Sequence, residues 1–113
     1  MPRNPVTFDV ARSIGAKLPD VTGAAGSGRM ALKVKGRILA CQAVHKSAEP
    51  NSLMVCIGSK RRDALLAQNP DACYLTKHYE PYPVILVRLS QISRTYLRAL
   101  LAEAWEFVRS GVK

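Results

Sequence analysis

The sequence predicts an α+β domain in two layers, with helices packed on a largely antiparallel sheet. Three observations predict it. Helical and strand periodicities follow one another in the order α-β-β-β-β-α-β-β-α. The connections between them are short, and two of the strands flank a glycine at hairpin spacing. The chain has 113 residues and is 48% apolar, which suits one domain with one core.

Residues 1–6 read as a flexible N-terminal tail and residues 7–113 as a single domain. Thr7 to about Leu18 reads as a helix, because Val10, Ile14 and Leu18 recur every four residues until Pro19-Asp20 stops the run. Val21 to Gly28 is rich in Gly, Ala and Ser and suits a weak edge strand followed by a turn. In "MALKVKGRILACQA", Met30, Leu32 and Val34 alternate with Ala31, Lys33 and Lys35, which is strand periodicity. Gly36 suits a tight turn, and Arg37 to Gln42 forms the return strand. Leu53, Val55 and Ile57 alternate again after a loop over 44–51.

"SKRRDALLAQ" then reads as a helix with Ser59 as its N-cap and Asn69-Pro70 as its stop. Cys73 to Thr76 is a short strand, and "KHYEPYP" is a loop. "VILVRL" is a nearly unbroken apolar run, as expected of an interior strand. Leu97, Leu100, Leu101, Ala104, Trp105 and Val108 lie on one face of a closing helix capped by Ser93.

No stretch approaches the roughly 20 apolar residues of a membrane span. Charges interrupt the first dozen residues, unlike a signal peptide. The expectation is a cytoplasmic protein with no membrane partner. Cys41, Cys56 and Cys73 are widely spaced and form no C-x-x-C, so buried reduced thiols are expected. Together with His45 and His78 they match no usual zinc spacing, and neither metal nor cofactor is expected.

Charge is the most informative bulk property. Seventeen Lys and Arg face eight Asp and Glu, for a net charge of +9. Between Arg29 and Arg62 the cations are Arg29, Lys33, Lys35, Arg37, Lys46, Lys60, Arg61 and Arg62, against Glu49 as the single acid. Such a stripe attracts polyanions: nucleic acid, anionic lipid or acidic protein. Lys33 and Lys35 share one face of their strand, opposite Leu32 and Val34. A two-residue and a three-residue turn at Gly36 place Arg37 on opposite faces.

The start of the second helix is unusual. Lys60, Arg61 and Arg62 sit where the helix dipole disfavours cations. They become useful if an anion docks there, since amide donors, dipole and side-chain charge then converge on it. The alternative is a solvated basic face.

Other motifs point to no chemistry. "GAAGSGRM", Gly23 to Met30, has the glycine spacing of a P-loop, but Arg29 and Met30 stand where Lys and Ser/Thr belong, and no strand and helix flank it in the required way. His78 lies among tyrosines without an evident partner for base catalysis. No catalytic set is found, and the expectation is a non-enzymatic protein.

Three segments together resemble the MmcQ/YjbR family: "ALKVKGRILA" (31–40), "RDALLAQNPDACYLTKHYEPYPVILVRLS" (62–90) and "LRALLAEAWEFV" (97–108). The most specific is 74–90, where Tyr74, Thr76, His78, Tyr79, Tyr82, Pro83, Val87, Arg88 and Leu89 fit the family pattern. The resemblance implies a small, frataxin-like α+β domain and DNA binding, with two β-hairpins as "wings". By position, Lys33, Lys35 and Arg37 fall on the first wing, and Lys77, His78 and Tyr79 fall on the other family loop. The chain departs from relatives in two places. Their second helix commonly begins with acids, and many carry Trp where this chain has Val84.

The leading functional expectation is sequence-independent binding of double-stranded DNA through phosphates. The candidate contacts are Lys33, Lys35, Arg37, Lys60, Arg61, Arg62, Lys77, His78 and Tyr79. The alternatives are an adaptor that binds a protein or peptide, and a small-molecule binder with a pocket near His78 and Tyr79. The protein is expected to be a monomer or a weak homodimer.

Overall fold

A computed structural model describes residues 6–23 and 31–110. Its elements are α1 (Phe8–Ala16), β1 (Val21–Thr22), β2 (Ala31–Val34), β3 (Arg37–Gln42), β4 (Ser52–Cys56), α2 (Ser59–Gln68), β5 (Cys73–Tyr74), β6 (Val84–Arg88), a short 3-10 turn (Leu89–Gln91) and α3 (Arg94–Arg109). The expected α+β order is therefore the observed one. All but the first residue of the glycine-rich Gly23 to Met30 segment, Arg29 included, lies outside the described residues.

The six strands form one antiparallel sheet in the order β1-β2-β3-β4-β6-β5. Alternation along the strands sends Leu32, Val34, Leu53, Val55, Ile85 and Val87 into one core with the buried stripe of α3, Leu97 to Val108. α1 packs against α3, β1 and β2, and α2 against β5 and β6. The helices thus lie on one face, leaving the other to loops. The β6 run is buried almost throughout because that second face is also covered at its position.

The expected Ser93 cap of α3 is in place, and Thr7, expected as the first helical residue, caps α1. Ser93 accepts from the Tyr96 N–H at 3.0 Å, and Thr7 does the same for Val10 at 3.2 Å. The cap of α2 differs from expectation. Gly58, at φ 91°, is the N-cap, no side chain caps the helix, and Ser59 is its first residue. The cause is the end of β4: the N–H groups of Ile57 and Gly58 both donate to the Pro83 carbonyl at 3.0 Å. The chain must then turn sharply, which a positive φ at glycine permits. A methyl group at Gly58 would also meet the Phe107 ring at 2.9 Å.

Lys35 (φ 52°) and Gly36 (φ 82°) form a two-residue turn that joins β2 to β3, with Val34 paired to Arg37. A bulge follows. Leu32 pairs with Ala40 but Lys33 with Ile38, so Leu39 and Ala40 are both buried in succession. Residues directly opposite share a face. Lys33 and Ile38 therefore face away from the helices, and Arg37 lies on the side of Val34.

Two loops cover part of that open face. Arg88 anchors the first, 43–51, through a bidentate pair with Glu49 (2.9 and 2.8 Å) while its guanidinium stacks on Tyr74, 4.3 Å from the ring centre. The Tyr74 hydroxyl accepts the Glu49 N–H at 2.8 Å and bonds the buried Ser52 hydroxyl. The second loop, 75–83, brings His78 flat against His45, with ring centres 3.5 Å apart. Tyr79 is buried on Val84 and Leu86, edge-on to both imidazoles, and its hydroxyl accepts the His45 N–H at 3.3 Å. Ser47 completes the clasp, donating its N–H to His45 Nδ1 (3.1 Å) and bonding the Thr76 hydroxyl (2.8 Å).

Two outcomes follow from this packing. Gly58→Ala is expected to lower stability by about 1–3 kcal/mol, the cost of a strained backbone residue, read by urea unfolding. His45 has its pKa held below the usual imidazole value by desolvation, then by the neighbouring His78 and Lys46. The unfolded chain therefore takes up the proton first as pH falls. Stability should be full above the ordinary histidine pKa and decline as pH drops below it, and His45→Gln should flatten the decline between pH 7 and 5.

Candidate nucleic-acid interface

The sheet has two ends, and its register decides which residues share one. β3 leaves the Lys35-Gly36 turn and pairs antiparallel with β4, from Ala40 opposite Val55 to Gln42 opposite Leu53. The start of β3 therefore lies beside the end of β4, where α2 begins. β6 starts at the same end, with Val84 opposite Cys56, and α3 brings Phe107 there against Gly58. The hairpin turn and the first residues of α2 thus stand at one edge of the molecule.

The three cations that open α2 divide into two kinds. Arg61 makes a bidentate pair with Glu103 of α3, at 2.8 and 3.0 Å, and that hydrogen bond raises its pKa further. Arg62 is only 12% exposed; it donates to the Tyr82 carbonyl at 2.8 Å and the Glu80 carbonyl at 3.3 Å, and its Nε lies 3.6 Å from Asp63. These two arginines tie α2 to α3 and to the 75–83 loop, which explains why cations are tolerated at this helix start. Lys60 is exposed and has no acid partner among the described residues. It borders a shallow cleft of about 650 Å³ whose apolar walls are Ile57, Ala64 and Phe107.

Lys33, Lys35 and Arg37 are likewise exposed and unpaired among the described residues. The two-residue turn settles where Arg37 goes: to the helix side, with Lys33 on the open face and Lys35 at the tip. The hairpin presents its charges around an edge rather than on one plane. Lys77 is exposed, His78 is held in its stack on His45, and Tyr79 is only 6% exposed with its hydroxyl engaged. The structure therefore joins Lys35, Arg37 and Lys60 at one end, sets Lys33 at the border with the open face, and leaves Lys77 on a separate loop.

Sequence reasoning missed one cluster of cations. Lys17, Arg94 and Arg98 line a second cleft of about 330 Å³ between α1 and α3, away from the hairpin end. Their distance apart in the sequence hid it. A groove of about 340 Å³ lies on the open face beside His78, Tyr79 and Tyr82, where the small-molecule alternative places its pocket. Among the described residues no group of three or more His, Cys, Asp or Glu could hold a metal ion, and no helix is long and apolar enough to cross a membrane.

Comparison with known proteins adds the fold. The crystal structure of Deinococcus radiodurans protein DR2400, a DUF419 domain, is similar over 99% of this chain and 86% of that one, with TM-score 0.70 and 21% identity. Uncharacterized proteins of Mycobacterium tuberculosis and Mycobacterium bovis are 43% identical over 42 residues, a segment covering 37% of this chain and only 33% of theirs. No family model matches the chain.

Proposed function

We propose that this protein is a non-enzymatic module of the MmcQ/YjbR type that binds double-stranded DNA through its phosphates, with little reading of sequence. One observation carries the proposal. Lys35 and Arg37 at the hairpin and Lys60 at the α2 start share one end of the sheet, and none has an acid partner among the described residues. Lys33 extends this set onto the open face. A duplex phosphate chain offers charges spaced a few ångströms apart, which suits cations presented around an edge.

The amides that open α2 carry no side-chain cap and supply further donors beside Lys60. Arg61 and Arg62 serve as positioning residues in this reading, fixing the helix start against α3 and the 75–83 loop. The family resemblance over 31–40, 62–90 and 97–108 supports the same assignment, and the DUF419 structure supports the fold on which it rests. No helix presents the Asn, Gln and Arg pattern of a base-reading surface.

With Lys33, Lys35, Arg37 and Lys60 on phosphates, log affinity for a random duplex should fall with log salt at a slope of about −3.6. The triple change Lys35→Gln, Arg37→Gln, Lys60→Gln should flatten that slope by about 2.7, as read by fluorescence anisotropy. Lys17→Gln, Arg94→Gln and Arg98→Gln together should leave it unchanged. Glu103→Gln releases Arg61 beside Lys60 and should steepen the slope by up to about 0.9. Affinity that ignores salt, or that tracks the Lys17, Arg94 and Arg98 set, contradicts the proposal.

A further inference from the structure

The open face of the sheet carries a groove that phosphate binding does not use. Its floor is Met54, Cys56 and Val84, one wall is Ile38 and the other is Tyr82 with His78. Three large hydrophobic side chains are conspicuously exposed among the described residues, and two of them, Ile38 at 38% and Tyr82 at 55%, are these walls. Exposed apolar surface gathered around a concavity marks a binding site more often than a scatter of single residues does. The volume of about 340 Å³ lies at the small end of the range for ligand pockets.

The chemistry around the groove selects the charge of its occupant. No acid lines it. Lys33 sits directly opposite Ile38 in the β2–β3 pair and faces the same way, and Lys77 adjoins His78 in the chain. Neither lysine has an acid partner among the described residues. Cys56 does not alter the picture: burial, then the neighbouring Cys41, pushes its thiol pKa up to about 11, so the floor stays uncharged.

We propose that this groove binds one small amphipathic carboxylate, its apolar body on Met54, Cys56 and Val84 and its carboxylate toward Lys33. The clasp of His45, His78 and Tyr79 holds the loop wall in place, so the groove is formed before a ligand arrives. The site is distinct from the phosphate-binding end, although Lys33 borders both.

The test is a titration of the ¹⁵N-labelled protein with 2-naphthoate and with its neutral methyl ester, followed by amide shifts. Saturable shifts at Ile38, Met54, Cys56 and Val84 are expected. Ile38→Gln with Tyr82→Ser, both exposed and so tolerated by the fold, should weaken 2-naphthoate about tenfold. Lys33→Gln should weaken it roughly two- to fivefold, as for a partly exposed ion pair, and leave the ester unchanged. Lys60→Gln should bind 2-naphthoate like the wild type while losing DNA affinity, which separates this site from the proposed function. Shifts centred elsewhere, or wild-type affinity in the Ile38/Tyr82 variant, overturn the groove. Equal effects of Lys33→Gln on acid and ester overturn the carboxylate.

Discussion

The antiparallel pairing of β3 with β4 is the constraint on which the rest depends. It makes the strand that leaves the hairpin and the strand that enters α2 meet at one end of the sheet. The two-residue turn then sets which residues lean to which side, and the bulge keeps both Leu39 and Ala40 in the core while Ile38 turns outward. A register slip of one residue would exchange these faces, burying charge and exposing leucine. The apolar content of β2, β3 and β4 forbids that exchange, so core packing fixes the position of the surface charges.

Ion pairing among the described residues falls to arginine. Each described ion pair uses an arginine: Arg12, Arg61, Arg62, Arg88 and Arg109. Arg88 shows why. Its planar fork meets both oxygens of Glu49, its face covers Tyr74, and its remaining donor reaches the Asp71 carbonyl at 3.0 Å. A lysine's compact ammonium has neither the fork for both Glu49 oxygens nor a flat face to lay on Tyr74. The lysines of the hairpin and of α2 remain for solvent or a partner. Most of the acids are thus matched inside the fold, and among the described residues the unpaired cations Lys35, Arg37 and Lys60 are displayed where the sheet ends, with Lys17, Arg94 and Arg98 grouped at the α1–α3 cleft.

The fold was legible because its signals are local. Alternation in 31–42 and 52–57 specified strands, the spacing of Leu97 to Val108 specified α3, and Ser93 marked its start. The candidate site was legible only in part, because charge pairing is a tertiary fact. Nothing near Arg61 in the chain announces Glu103, 42 residues on. Arg62 bonds to backbone carbonyls, which carry no residue signature at all. The Ser59 cap failed for a related reason: the Pro83 carbonyl, distant in sequence, fixes the end of β4 and moves the cap to Gly58. Tyr79 looked available as a loop residue, yet its ring is the plug that seats the loop on the sheet.

One surface, built from the hairpin and the start of α2, is the central claim. Mapping amide shifts on adding a short random duplex tests it most directly. The account predicts that Lys35, Gly36, Arg37, Ser59 and Lys60 move together along a single binding curve, while Lys17, Arg94 and Arg98 stay still. Shifts confined to the α1–α3 cleft, or separate curves for the hairpin and for α2, would contradict it.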